Sequence, residues 1–228
     1  MYFLDPQIDA LLNASDVIVF DLSGLLVDDE PIQLQATNDA LAPYGLALSE
    51  EEWIEVCVGH KPSEYLPRMI QGSSSADIAR LIEYKDTIYE ELIAGRAKDL
   101  ARPGALSLLR YARILEKSTA LATSTTRTGA TIILGKNGLN IFNSFDIVIT
   151  GDEVKRAKPD PEIYNSVRSQ LGDALTYLVF EDSPSGVASA RGAGMSCIAV
   201  PNRFTANQNF TEADLVITSL DHDAAVLE

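Results

Sequence analysis

Apolar residues gather in six short runs along the chain: Val17–Phe20, Thr119–Ala122, Ile147–Ile149, Tyr177–Phe180, Cys197–Val200 and Leu215–Ile217. Each run is continuous instead of alternating with polar residues. A strand with one wet face alternates, whereas a strand covered on both faces does not, so the runs predict a parallel sheet buried between layers. Helix-like segments lie between the later runs. Leu106, Leu109 and Leu115 fall mostly on one face of a segment spanning 103–116 that opens with Pro103-Gly104. A second segment opens at Pro161, whose fixed φ suits a first turn, with Asp160 placed to cap it. Strand–helix–strand alternation of this kind predicts an α/β fold built on a doubly wound parallel sheet.

The first interval breaks the rhythm. Residues 21–118 separate the first run from the second, although a crossover between parallel strands needs only about a dozen residues. Before Pro103 this stretch has a helical pattern: Ile78, Leu81, Ile82, Ile88, Leu92 and Ile93 keep a 3.6-type spacing. Gln71–Ser75, QGSSS, reads as a loop between helices. The simplest layout is a core domain of residues 1–27 and 103–228. A small α-helical domain, residues 28–102, is then inserted after the first strand, with hinges near 28–31 and 98–103. No internal repeat or low-complexity segment interrupts it.

Composition narrows the function classes. The chain has 228 residues, 46% hydrophobic and 22% charged, which fits a folded protein with one large domain or a modest core carrying an insertion. It has 18 Lys+Arg against 33 Asp+Glu, a formal charge of −15. Such a surface repels nucleic-acid backbones, so no nucleic-acid partner is expected. Any phosphorylated ligand needs a local cation or bound metal against that field. Cys57 and Cys197 stand alone, without the spacing of a disulfide framework or a zinc site. Asp5, Asp9 and Asp16 precede or border the first apolar run with no basic residue before it, unlike a secretory signal. No apolar stretch reaches the ~18 residues of a membrane span. A cytoplasmic monomer is the expectation.

Ligands of open α/β sheets sit beyond the carboxyl ends of the strands. The first run ends in Asp21-Leu22-Ser23-Gly24, the second in Thr123-Ser124-Thr125-Thr126-Arg127. After the third come Gly151-Asp152-Glu153 and Lys158-Pro159-Asp160-Pro161, and the fourth ends in Glu181-Asp182-Ser183-Pro184-Ser185-Gly186. If the strands are neighbours, Asp21, Thr123, Lys158 and Asp182 converge on one cleft. Carboxylates crowded around one point repel each other, and a hard cation such as Mg²⁺ relieves this with oxygen ligands. A lysine and a hydroxyl beside it suit a phosphoryl group. A carboxylate within reach of the phosphorus can then attack in line to give an aspartyl-phosphate.

These residues carry a family resemblance. FDLSGLLVDDE (20–30), LATSTTR (121–127), VKRAKPDPEIY (154–164) and VFEDSPSGVASARGAGM (179–195) resemble the haloacid dehalogenase-like (HAD) hydrolases, with their Rossmann-like core. The nearest branch looks like the phosphatases and phosphomutases of the β-phosphoglucomutase type, which carry a helical cap after the first motif. The resemblance implies that Asp21 is the nucleophile, that Thr123 hydrogen-bonds the phosphoryl group and that Lys158 neutralises both. Asp182 would bind Mg²⁺, with Glu181 as a ligand or just behind it. The implied activity is hydrolysis of small phosphorylated metabolites, sugar phosphates foremost, and hydrolysis is a better fit than mutase chemistry.

Ser23 departs from the pattern. Phosphatases of this kind have a second Asp two residues after the nucleophile, acting as general acid and base. A serine keeps the backbone carbonyl that binds the metal at that position, but loses proton transfer worth about 10²–10⁴-fold. Three readings follow: a slow phosphatase or one for acyl and enol phosphates; a phosphonoacetaldehyde hydrolase-like enzyme with Lys61 as Schiff base; or a non-catalytic binder of a phosphorylated ligand. Dehalogenases of the superfamily lack the pair Glu181-Asp182.

Other candidates are peripheral. His60 and Lys61, in Val58–Ser63, read either as a solvated turn or as contacts to the part of the substrate that is not transferred. Ser124 and Arg127, at the start of the helix after the second strand, could hold phosphoryl oxygens or a second anion, and Arg127 fits a surface arginine equally well. Asp28, Asp29 and Glu30 read as a hinge or solvated acidic run, with Glu30 able to reach the cleft. Trp53 reads as packing within the insertion, and the tail Asp221–Glu228 as a solvated end.

Overall fold

The computed structural model describes residues 5–221, so all of the tail except Asp221 lies outside the described residues. Six strands form one parallel sheet: β1 Val17–Phe20, β2 Ser118–Ala122, β3 Ile147–Ile149, β4 Tyr177–Glu181, β5 Ser196–Ala199 and β6 Leu215–Val216, in the order β3-β2-β1-β4-β5-β6. All six apolar runs mark strands. Their continuity has a simple cause, because successive side chains point to opposite faces and both faces are covered. On β1, Ile18 and Phe20 enter one core with Leu121, Leu178, Phe180 and Ile198. Val17 and Val19 enter the other with Ala120, Val179, Cys197 and Ala199.

The flanking helices complete the two layers. On the first face lie α1 (Pro6–Ala14), α6 (Ala105–Ile114) and α7 (Arg127–Leu134); on the second lie α8 (Glu162–Leu171) and α9 (Pro184–Gly192). Helix α1 was not anticipated. Its signal was local: Asp5 accepts from the Gln7 amide at 2.8 Å as its cap, and Ile8 and Leu12, one turn apart, are buried. In α6 the buried stripe is Ala105, Leu108, Leu109 and Ala112, with Leu106 and Leu115 only half-buried. Of the expected leucines only Leu109 belongs to the stripe, where Leu108 and two alanines join it. Helix α8 begins at Glu162, one residue later than expected, and Asp160 Oδ1 still accepts from the Glu162 amide at 3.0 Å.

The long first interval is the helical insertion: α2 (Glu30–Leu41), α3 (Glu50–Val56), α4 (Pro62–Met69) and α5 (Ser75–Ala94). Reciprocal capping boxes, Ser49 with Glu52 and Ser74 with Asp77, start α3 and α5. Leu41, Trp53, Tyr65, Leu66, Ile78 and Leu81 form a core of its own, joined by Phe204 from the loop after β5. On α5, Ile78, Leu81 and Ile93 are buried, Ile82, Ile88 and Leu92 half-buried. Lys85 and Tyr89 fill the remaining buried positions. The two connections to the sheet domain are tied together, Asp28 N to Leu100 O at 2.8 Å and Arg102 N to Leu26 O at 2.9 Å. No helix among the described residues is long and apolar enough to cross a membrane.

Phe20 links the central strands, stacked on Phe180 at 5.6 Å between centroids and edge-on to Phe145 at 6.2 Å. Phe20→Ala should therefore cost about 3–5 kcal/mol of stability in chemical denaturation. A cost below about 1 kcal/mol would mean that the sheet core is not assembled around this ring.

Candidate active site

Parallel register brings the strand ends together. Phe20 pairs with Leu121 on one side and with Phe180 on the other, so Asp21, Thr123 and Asp182 leave the sheet along one edge about 4.8 Å apart from strand to strand. Lys158 reaches them from the loop between β3 and α8. Its Nζ donates to Asp21 Oδ1 at 2.6 Å, to Glu181 Oε1 at 2.6 Å and to Ala122 O at 3.0 Å. All three donor directions are used, and the ammonium also lies 5.1 Å from the centre of the Tyr164 ring.

Glu181 is held from every side. Tyr164 Oη donates to its Oε1 at 2.7 Å, while the Asp182 amide and Ser183 Oγ donate to Oε2 at 3.1 and 3.2 Å. Gly186 closes against it, since a Cβ there would lie 1.9 Å from the carboxyl carbon. Glu181 is fully buried and does not line the cavity. It therefore stands behind Lys158.

The electrostatics are those of crowded carboxylates. Burial raises Asp21 to about 7 despite Lys158, with Glu181 adding to the rise. Burial, with Glu181 and Asp21, also pushes Asp182 well up. Burial disfavours the Lys158 ammonium, but Asp21 and Glu181 outweigh it and hold that group above its ordinary value. One ligand atom from each of Asp21, Glu181 and Asp182 lies within 4.8 Å of the others. Asp182 has no ion-pair partner among the described residues. An all-oxygen set carrying more negative than positive charge fits a hard divalent cation.

A cavity of about 440 Å³ opens between this edge and the insertion. Asp21, Ser23, Thr123, Ser124, Lys158 and Asp182 line it from the sheet domain, as do His60 and Lys61 from the insertion. Arg127, read either as an anion contact or as a surface arginine, does not line the cavity. Its guanidinium is engaged by Glu153 and by Val148 O at 2.7 Å, which turns it along the outside of the sheet. Trp53 packs in the insertion core as expected, and its Nε1 donates to Glu30 Oε2 at 2.8 Å.

The acidic run after the first strand is not solvated. Asp29 is fully buried, and its Oδ2 accepts from Ser23 Oγ at 3.0 Å and Tyr89 Oη at 2.5 Å. Its Oδ1 has no hydrogen-bond partner among the described residues. With its one proton directed to Asp29, Ser23 accepts from Thr125 Oγ1 at 2.9 Å. Glu30 lines the cavity. Two further residues escaped the sequence reading. Lys85 lines the cavity and donates to Gln33 Oε1 at 2.6 Å; its signal was a charge at a core position of the α5 stripe. Asn202 donates to Asp182 Oδ2 at 2.8 Å. It lies just past β5, where the strand-end rule applies equally.

A sequence profile of the haloacid dehalogenase-like hydrolases matches residues 18–200. The chain belongs to this family. It is 32% identical to protein CbbY of Rhodobacter capsulatus over 211 residues, covering 89% of this chain and 92% of that protein. It is 32% identical to a phosphorylated carbohydrates phosphatase of Thermotoga maritima, covering 80% and 83%. Among solved structures, CbbY of Rhodobacter sphaeroides in complex with xylulose-(1,5)-bisphosphate superposes with a TM-score of 0.79 at 26% identity, covering 90% and 95%. The phosphatase and phosphomutase branch of the hydrolases is therefore where this chain sits, and the α/β core with its helical insertion is the family's architecture.

In this hydrolase Glu30 offers a test of the cavity wall. Burial, with neighbouring Asp29, raises its carboxyl from 4.5 to about 7. The folded state thus holds a proton that the unfolded chain has released, and stability falls as pH rises from about 4.5 through 7. Glu30→Gln keeps an acceptor for Trp53 and removes that penalty. The variant should gain about 1–3 kcal/mol over the parent at pH 8 and little near pH 4.5, read by denaturant unfolding. A difference independent of pH would mean that Glu30 does not titrate in this way.

Proposed function

We propose that the protein is a Mg²⁺-dependent phosphomonoesterase of small phosphorylated metabolites, sugar phosphates foremost, acting through an aspartyl-phosphate on Asp21. One observation carries the reading: Lys158 joins Asp21 to Glu181 within reach of Asp182, at the floor of a cavity large enough for a sugar phosphate. The relatives' names, a phosphorylated carbohydrates phosphatase and a CbbY bound to a sugar bisphosphate, support that substrate class.

Lys158 engages Asp21 Oδ1, and the other oxygen, Oδ2, accepts no hydrogen bond among the described residues and is free to attack phosphorus. The new Asp21–phosphorus bond forms as the bond to the leaving oxygen breaks, and water later hydrolyses the acyl phosphate. Thr123 and Ser124, lining the floor, donate to the phosphoryl oxygens. Asp21 and Asp182, with the Ser23 carbonyl, would hold the cation, which when bound offsets the charge of the phosphoryl group. Residues 28–102 act as a cap that excludes water and contacts the rest of the substrate through Lys61, His60, Glu30 and Lys85.

Ser23 decides the rate. A serine hydroxyl already donating its proton to Asp29 neither protonates an alkoxide nor activates water as a carboxyl group would. The enzyme suits leaving groups that depart without help, or it turns alkyl phosphates over slowly. That same lack gives a second reading, a binder of phosphorylated ligands without turnover.

A screen of phosphorylated metabolites with and without Mg²⁺ tests this. Asp21→Asn should lower metal-dependent turnover by at least about 10³-fold; ligand binding without any turnover in the parent would favour the binder. Ser23→Asp should raise alkyl-phosphate hydrolysis about 10²-fold or more, and adding Asp29→Asn should relieve the new like-charge contact. An unchanged rate in both would mean that position 23 serves another chemistry.

A further inference from the structure

We propose that Asn202 is a positioning residue for the Asp182 carboxylate, and that its loop ties this carboxylate to the helical insertion. The inference rests on the cation-dependent reading above. Helix α9 and β5 lead into a short turn, residues 201–205, that carries no acidic or basic group toward the cleft. Every polar atom of Asn202 is nevertheless assigned. Its backbone amide donates to Thr205 Oγ1 at 3.0 Å, and its side-chain Oδ1 accepts from the Phe204 amide at 2.8 Å. A backbone N–H can only face an acceptor, so this contact fixes which end of the carboxamide is oxygen. Nδ2 is thereby turned to two acceptors, Gly24 O at 3.2 Å and Asp182 Oδ2 at 2.8 Å.

The consequence for Asp182 is orientation. Its Oδ2 is pinned by Asn202 and packed over Gly24, where a Cβ would come within 2.0 Å of that oxygen. Gly24 has φ +74°, so both its backbone and its missing side chain are required there. Asp182 Oδ1 accepts no hydrogen bond from the described residues, which leaves it as the oxygen for a cation. Arg102 steadies the same corner, donating to Gly24 O at 2.5 Å and Val200 O at 3.2 Å.

The other end of the turn lies in the insertion. Phe204 is buried among Leu41, Trp53 and Tyr65, and Arg203 pairs with Glu50 at 2.6 Å. A three-residue span therefore connects the insertion's core to a carboxylate of the floor. A shift of Phe204 moves the amide that holds Asn202 Oδ1, and so moves the donor on Asp182.

Isothermal titration of Mn²⁺ into the full metal-stripped chain, without substrate, tests this. The parent should bind the cation, and Asn202→Ala should bind it about 10–100-fold more weakly. Saturating Mg²⁺ should restore kcat of the variant to within about threefold of the parent, a split that general damage to the site would not give. Hydrogen exchange adds the second arm: Mn²⁺ should slow exchange across residues 50–69 in the parent and not in Asn202→Ala. If the parent binds no divalent cation, the metal-dependent reading fails and this one with it. If the parent binds and Asn202→Ala binds equally well, or the slowing persists in the variant, only the role of Asn202 is overturned.

Discussion

A lysine ammonium shared between two buried carboxylates is what the rest of the site depends on. The side chains of Lys158, Asp21 and Glu181 are 6%, 8% and 0% exposed. Removing one such ion from water costs several kcal/mol after relaxation, and the attraction repays this only where geometry and hydrogen bonds are good. Here the sheet supplies the geometry, since β1 and β4 pair in register and set positions 21 and 181 side by side. Tyr164 adds a second donor to Glu181 Oε1, the oxygen Lys158 engages, and the turn after β4 satisfies Oε2, which Lys158 leaves over. Asp182 is the carboxylate without an ammonium, and its raised pKa expresses the same imbalance that a divalent cation would remove.

Ser23 and Asp29 constrain one another. Asp29 is buried with no cation in contact among the described residues, held by two hydroxyl donors and by its place before α2. Burial pushes its carboxyl up, while Tyr89 and Ser23 pull it back. A serine at 23 supplies a donor to Asp29; a carboxylate there would face a second carboxylate at hydrogen-bond distance in a dry site. The departure at 23 is thus part of a small network that reaches from the floor to α5, where Tyr89 lies one turn from Lys85. Chemistry at position 23 and the packing of the insertion cannot be altered independently.

The parts legible in the sequence are those fixed by short-range rules. Continuous apolar runs report strands covered on two faces, and residues just past them report the cleft, so Asp21, Thr123, Lys158 and Asp182 could be named without a structure. Arg127 could not be placed, because the choice between the cleft and Glu153 depends on how far Glu153 turns back after β3. Lys85 was hidden for a related reason. A charge on a helix reads as solvent-facing until its face is known, and the face of α5 is set by α2 and the insertion core. Asn202 acts through a turn whose anchor, Phe204, belongs to a core assembled from residues about 150 positions earlier.

The acidity of the molecule does not conflict with a phosphorylated ligand. Charges on the outer surface beyond about 8–10 Å are screened at physiological salt, so the groups facing the cavity decide. Those groups are Lys61, Lys85, Lys155 and Lys158 against Asp21, Glu30, Asp86 and Asp182, a formal balance of acids and bases. A lone phosphoryl dianion gains little from such a site. A divalent cation on the carboxylates shifts the balance to an excess of two positive charges, the complement of that dianion. On the proposed reading a cation held by the carboxylates would therefore favour the phosphorylated ligand, even though the chain as a whole carries −15.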